Sequence, residues 1–246
     1  MTFRRFLVPA CAAATLLAVP TAAMAEPVQD LTIKASPSKA STTKSPKSVA
    51  LSVSLGSRET TPGAQPPTLS YVDLYFPAGS KYNGNLFPTC AGSKISAARS
   101  TDDCPSGSIV GTGKAAGLAV GGILQNDLKI TAVNGGKSKI NLFVEGTSPL
   151  RIQSNIVGTL SNATNKYGLK LKVPVPANLQ EPAPGVKVAI TLFQVKIQKS
   201  RKVKGKTRGI VEITKCTGGK WDAKGDFRYA DGAAPKTVNL TQKCTK

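Results

Sequence analysis

Along most of this chain the apolar side chains recur at every second residue. Val49, Leu51, Val53 and Leu55 alternate with Ala50, Ser52, Ser54 and Gly56. Val72, Leu74 and Phe76 alternate with Tyr71, Asp73 and Tyr75, and Leu128, Ile130 and Ala132 with Asp127, Lys129 and Thr131. The same rhythm returns at Ile140, Leu142 and Val144, at Leu169, Leu171 and Val173, and over 186–197, then in shorter runs at 210–213, 226–229 and 237–240. A strand sends successive side chains to opposite faces, so a period of two marks half-buried strands, whereas a helix repeats at about 3.6 residues. Each run ends in Gly, Pro, Asn or Ser, and one short helical stretch is expected at 93–99. Roughly ten short strands with such punctuation define an all-β fold, an antiparallel β-sandwich or partly open barrel. A parallel sheet is disfavoured, because its strands are covered on both faces and read apolar throughout.

The N-terminus has the layout of an export signal. Arg4 and Arg5 precede a nearly continuous apolar stretch over 6–19, and Ala23-Met24-Ala25 presents small residues to a signal peptidase. Residues 1–25 are therefore expected to be removed, leaving Glu26 at the new terminus. No later stretch is long and apolar enough to be a membrane-spanning helix. Removing Cys11 with the signal leaves Cys90, Cys104, Cys216 and Cys244. An even set of cysteines in an exported chain is expected to form two disulfides, and four cysteines allow three pairings. Loop-closure entropy favours the local one, Cys90 with Cys104 and Cys216 with Cys244.

Residues 26–48 are read as an arm. Most of the segment is Ser, Thr, Lys and Pro with little to bury, although Leu31, Ile33 and Ala35 allow a first strand at 31–35. The remaining 49–246 form the β domain. Pro174, Pro176, Pro182 and Pro184 fall in one segment, too dense for a central strand that must donate to its neighbours. A loop, a sheet edge or a seam between two sub-units is expected near 174–185.

The segment 76–113 runs from Phe-Pro-Ala-Gly through Cys90 to Cys104-Pro105, Ser108, Val110, Gly111 and Gly113. It resembles a C-P-x-x-S-x-[VI]-G-x-G pattern of uncharacterised exported actinobacterial β-sandwich proteins. That resemblance covers about a sixth of the chain and implies a setting and a fold, with no known activity attached. A phosphate-binding glycine loop needs a strand before it and a helix after it. Gly111 and Gly113 lack that context, so a disulfide-tied crossover loop is the expected role.

Lys and Arg number 33 and Asp and Glu 13, a formal charge of +20 that falls to +18 once Arg4 and Arg5 leave. The charge is concentrated at Lys196, Lys199, Arg201, Lys202, Lys204, Lys206 and Arg208, with no acid among them. This run lies between two strong strand patterns, so a hairpin with Gly205 in its turn is expected. It either shields a strand edge as a solvated loop or contacts a polyanion such as an anionic cell-wall polymer or polysaccharide. Nucleic acid is not expected, since aromatic residues are too sparse for base stacking and Lys outnumbers Arg.

Asp222, Asp226 and Asp231 do not have the spacing of an EF-hand and read as turn residues. Trp221, Phe227 and Tyr229 read as core or as the face of a C-terminal hairpin rather than as a sugar-stacking platform. The chain has no histidine, which removes the most common general base and the Ser-His-Asp triad. No catalytic residue, cofactor or metal site is expected. The leading expectation is a non-enzymatic exported protein, secreted or cell-wall associated, that binds an anionic surface polymer or supports the envelope. The alternatives are a carbohydrate-binding or adhesion module and, further off, a hydrolase with a carboxylate pair or Ser-Lys site.

Overall fold

The structure, a computed structural model, describes residues 28–42, 45–59, 61 and 64–246. The expected signal peptide, residues 1–25, lies outside them. The fold is all-β. Its strands are β1 Val28–Ser36, β2 Ala50–Arg58, β3 Leu69–Pro77, β4 Ser80–Tyr82, β5 Ile109–Ala119, β6 Ile123–Asn134, β7 Lys139–Gly146 and β8 Ile152–Asn162. They continue with β9 Tyr167–Pro174, β10 Val188–Ile197, β11 Ser200–Val203, β12 Lys206–Gly209, β13 Val211–Ile213, β14 Lys220–Tyr229 and β15 Lys236–Lys243. Two short helices, α1 Gly92–Ala98 and α2 Ala177–Gln180, lie in connections. The helix expected at 93–99 is α1.

Eleven strands form one sheet in the order β1-β2-β10-β5-β6-β7-β8-β9-β3-β14-β15. Every neighbouring pair is antiparallel. Of the two architectures expected, the structure is the barrel, nearly closed. With an odd number of strands in strict alternation, the two edge strands β1 and β15 must run in the same direction. They are joined accordingly by a substitute for a ladder. The Gln242 side-chain amide accepts from Ala35 N at 2.8 Å and donates to Ala35 O at 2.7 Å, as a backbone peptide would. Just beyond, Ala40 N donates to Thr245 O at 2.8 Å and Thr245 N to Ser38 O at 2.9 Å, around a parallel bridge between Lys39 and Thr245.

The arm expected over 26–48 needs correction. β1 pairs along its whole length with β2, and Leu31, Ile33 and Ala35 are buried. Ala40 and Ser41 are buried as well. The alternation over 31–35 prevailed over the Ser/Thr/Lys/Pro composition around it. The proline-rich stretch 174–185 also proves to be no seam. It carries the chain from β9 to β10 within one sheet, with Val175 buried beneath it.

One parity of each wall strand faces inward: Leu51 and Val53 on β2, Val72 and Leu74 on β3, Leu142 on β7, Phe227 on β14. Closure places the connections at two ends. The connections 37–49, 78–108, 135–138, 163–166 and 198–219 share one end with both disulfides, and the connections 59–68, 120–122, 147–151, 175–187 and 230–235 share the other. An eight-stranded barrel is just filled by its own side chains. Eleven strands enclose more, and aromatics are only 5% of this sequence. The interior accordingly retains an apolar cavity of about 80 Å³. A residual void destabilises by about 24 cal/mol per Å³, so about 80 Å³ costs about 2 kcal/mol.

Candidate functional site

The basic run forms a hairpin outside the barrel wall. β11 and β12 make their own two-stranded sheet, joined by Lys204 and Gly205 at φ 48° and 75°. Two left-handed central residues match the twist of a tight hairpin, and Gly205 supplies one without strain. The register sets Arg201 opposite Arg208. Like charges facing each other across a ladder destabilise it, and here each guanidinium has an acceptor of its own. Arg201 Nη1 donates to Leu86 O at 2.7 Å. Arg208 donates through Nε and Nη2 to the two carboxylate oxygens of Glu212, at 2.8 and 3.0 Å. Glu212, whose side chain is 3% exposed, also accepts from Gly209 N. Those hydrogen bonds hold the Arg208 pKa above its ordinary value.

The seven predicted cations therefore separate into roles. Arg201 and Arg208 fasten the hairpin to the barrel, Lys199 is half-buried at its base, and Lys202, Lys204 and Lys206 are exposed near its tip. Lys196 is exposed on the wall, on β10. There the register runs Lys34–Ser52–Lys196–Thr112 across four strands, which puts the two ammonium stems two strands, about 10 Å, apart. Lys34, Lys114 and Lys196 line a shallow cleft of about 560 Å³ with Ser52, Ser54 and Gln194. Lys34 and Lys114 escaped the sequence reading because neither belongs to a charge run. Their polar parity on strand patterns was the signal available.

A second charged face lies on β9, β3 and β14. Lys170 Nζ is 2.7 Å from Asp73, and Lys224 Nζ is 2.8 Å from Asp226. Both ammonium groups stand over the Tyr75 ring, at 4.9 and 4.3 Å. Burial opposes the charge of Lys170, but Asp73 and Tyr75 outweigh it, so its pKa is raised. The hydrogen bond to Asp226 comes first in raising that of Lys224. Asp73 and Asp226 are cross-strand partners, yet each is matched to a lysine on the outer wall.

Asp222 and Asp226 lie within β14 rather than in a turn. They accept from Thr241 and Thr237 of β15 at 2.9 and 2.8 Å. Asp231 alone is a turn residue, accepting from Thr68 N at 2.9 Å. Trp221, Phe227 and Tyr229 are buried, as expected of core. Burial pushes the Tyr229 hydroxyl up to about 12. Gly111 and Gly113 lie inside β5, where a Cβ would fall 2.2 Å from Lys196 O and 2.0 Å from Gln194 O. Their function is close approach to β10. The disulfides are Cys90–Cys104 and Cys216–Cys244, the local pairing. Comparison with protein-family models, with curated proteins and with solved structures returned no match.

Proposed function

We propose that this is a non-enzymatic exported protein that holds an anionic polymer of the cell envelope against the disulfide end of its barrel. The observation that carries the reading is the β11–β12 hairpin, which exposes Lys202, Lys204 and Lys206 and whose base is fastened by the pair of Arg208 with Glu212. Lys196 extends the basic surface onto the wall, toward Lys34 and Lys114. A flexible polyanion meeting such a surface releases counterions, and its affinity falls with salt because exposed charges are screened within about 10 Å at 0.1 M. Export rests on the leader-like layout of residues 1–25 and is compatible with two disulfides, which persist in oxidising compartments. The carbohydrate-binding alternative has less support, since Tyr71, Tyr75 and Tyr167 on the outer wall each carry a cation over the ring.

The test is retention on immobilised poly(glycerol phosphate) across a salt series. Changing Lys202, Lys204 and Lys206 to Ser is expected to remove most retention and flatten its salt dependence. Changing Lys129, Lys172 and Lys187, exposed on the wall and at the opposite end, removes the same charge and is expected to remove little. Equal losses in the two triple variants would reduce the effect to global charge and overturn the site.

A further inference from the structure

The barrel interior contains a second feature, independent of the basic hairpin. The cavity of about 80 Å³ is lined mostly by aliphatic and aromatic groups, Leu142, Leu171, Val173 and Phe193 among them, with Ser80 the exception. A second cavity, of about 50 Å³, continues toward the end opposite the disulfides. Ile156, Ile190 and Phe193 line both, so the two are separated by side chains alone. On β10 the lining runs from Val188 to Ile197, about 30 Å of strand at a rise of about 3.3 Å per residue. The two spaces lie one after the other along this strand.

Its outer limit is marked on the surface. Among the described residues, the exposed large hydrophobic side chains are Val120, Ile123, Leu124 and Leu150. All four lie at this end, and Ile123 and Leu150 themselves line the second cavity. Val120 and Ile123 flank Gly121-Gly122, the β5–β6 turn, whose glycines have φ 85° and 81° with no atom within 4 Å of a Cβ placed on them. Leu150 sits on a loop held by Gln125 and Asp127. Polar groups at this mouth are peripheral: Arg151 follows Leu150 and is exposed, and Lys187 Nζ lies 3.6 Å from Glu181.

We propose that the barrel is a binding site for one unbranched hydrocarbon chain, entering between the β5–β6 turn and the 147–151 loop and lying along the interior past Phe193. The lining is aliphatic and aromatic apart from the Ser80 and Tyr82 hydroxyls at the disulfide end and Gln125 near the mouth, so the chain is recognised by burial of methylenes rather than by a head group. A polar head remains at the mouth, beside Arg151. A dry apolar cavity of about 150 Å³ is enough to take benzene. The two cavities, about 80 and about 50 Å³, have room for a short run of methylenes, and a longer chain requires Phe193 and its neighbours between them to turn aside.

The experiment uses the mature chain with its disulfides and follows the fluorescence of cis-parinaric acid, with saturated fatty acids and the matching alkanols as competitors. The expected result is saturable binding of one chain per protein, with affinity rising with chain length. Acids and alkanols competing alike assigns recognition to the chain. Stronger competition by the acids adds a contact of the head group with Arg151, and either result fits the proposal. Ile190→Trp fills the shared wall and denies the chain at least two methylenes of burial, which is about tenfold in affinity. Val173→Phe, at a half-buried lining position, gives the same reading should Ile190→Trp not fold. Bound chain raises the melting temperature of the parent by mass action and raises that of the filled variant less at the same concentration. Absence of saturable binding, or equal binding by parent and filled variants, would overturn the proposal.

Discussion

At one end of the barrel the chain makes long excursions and ties them with covalent and polar bonds. Both disulfides are there, and Asn134, fully buried, donates to Gly84 O and Pro88 O at 2.8 and 2.9 Å while accepting from Tyr82 Oη at 2.8 Å. The hairpin that carries the basic run rests on this frame. At the other end the turn between β5 and β6 is two glycines flanked by exposed Val120 and Ile123, and Pro66 and Pro67, in the connection from β2 to β3, are buried. Buried polar groups that are fully hydrogen-bonded rigidify a region, and an exposed apolar rim is retained where something else covers it. The contrast argues for a fixed polar platform at one end and an entrance at the other.

The contrast breaks first at the disulfides. In the chain-entropy account, closing loops of 14 and 28 residues contributes about 3 and about 3.5 kcal/mol. Cys216→Ala with Cys244→Ala is therefore expected to lower stability slightly more than Cys90→Ala with Cys104→Ala, by denaturant unfolding. Chain binding at the opposite end should survive both at temperatures where the fold persists. Loss of binding at full folding would mean that the ends are not independent.

A smaller effect, confined to the apolar mouth, is set by pH. The loop carrying Leu150 hangs on Asp127, which accepts from Thr147 N at 2.8 Å and Ser148 N at 3.0 Å. The Thr147 and Ser148 amides come first in holding the Asp127 pKa below its ordinary value of 3.8. A depressed folded-state pKa contributes stability that is present above the unfolded value and lost as pH falls through the folded one. The Thr147 and Ser148 amide signals should thus shift with a midpoint below pH 3.8 in an NMR titration. Asp127→Asn should abolish that step and loosen the loop at neutral pH. A midpoint at or above the ordinary value would mean that the loop is held by other groups.

Much of this was legible in the alternation of residues. Parity along each run marked the inward faces, and Leu51, Val72, Leu142 and Phe227 lie where it placed them. The local pairing of cysteines followed from loop length. The choice between sandwich and barrel was not legible, because closure depends on β10 entering between β2 and β5 and on β3 entering between β9 and β14. Periodicity carries no record of which strands meet. β1 was half-hidden by composition, since three apolar residues suffice to bury a strand amid polar neighbours. The basic run announced a hairpin through Gly205, but nothing in it distinguished Arg208, turned inward to Glu212, from Lys204 at the tip. The interior cavities were beyond reach, because a void follows from the number of strands that close around it rather than from any residue.

The smallest expected effect concerns Ile123 and Leu124, 49% and 51% exposed. A hydrophobic side chain stabilises a fold through the area it removes from water, and these remove only about half of theirs. Ile123→Ser with Leu124→Ser should therefore cost about 1 kcal/mol per side chain, against roughly 2–5 kcal/mol for emptying a fully buried position. The urea midpoint measures it, and the slope of the transition should not alter. At the disulfide end Ile95 is fully buried, and the same chemical change there strips a packed core rather than a rim. A marked loss at Ile123 and Leu124 would show that the rim closes the barrel as part of its core, and the mouth would have to be sought elsewhere. A loss no larger than that, together with weaker uptake of cis-parinaric acid, would place those side chains on the path of the chain instead of in the scaffold.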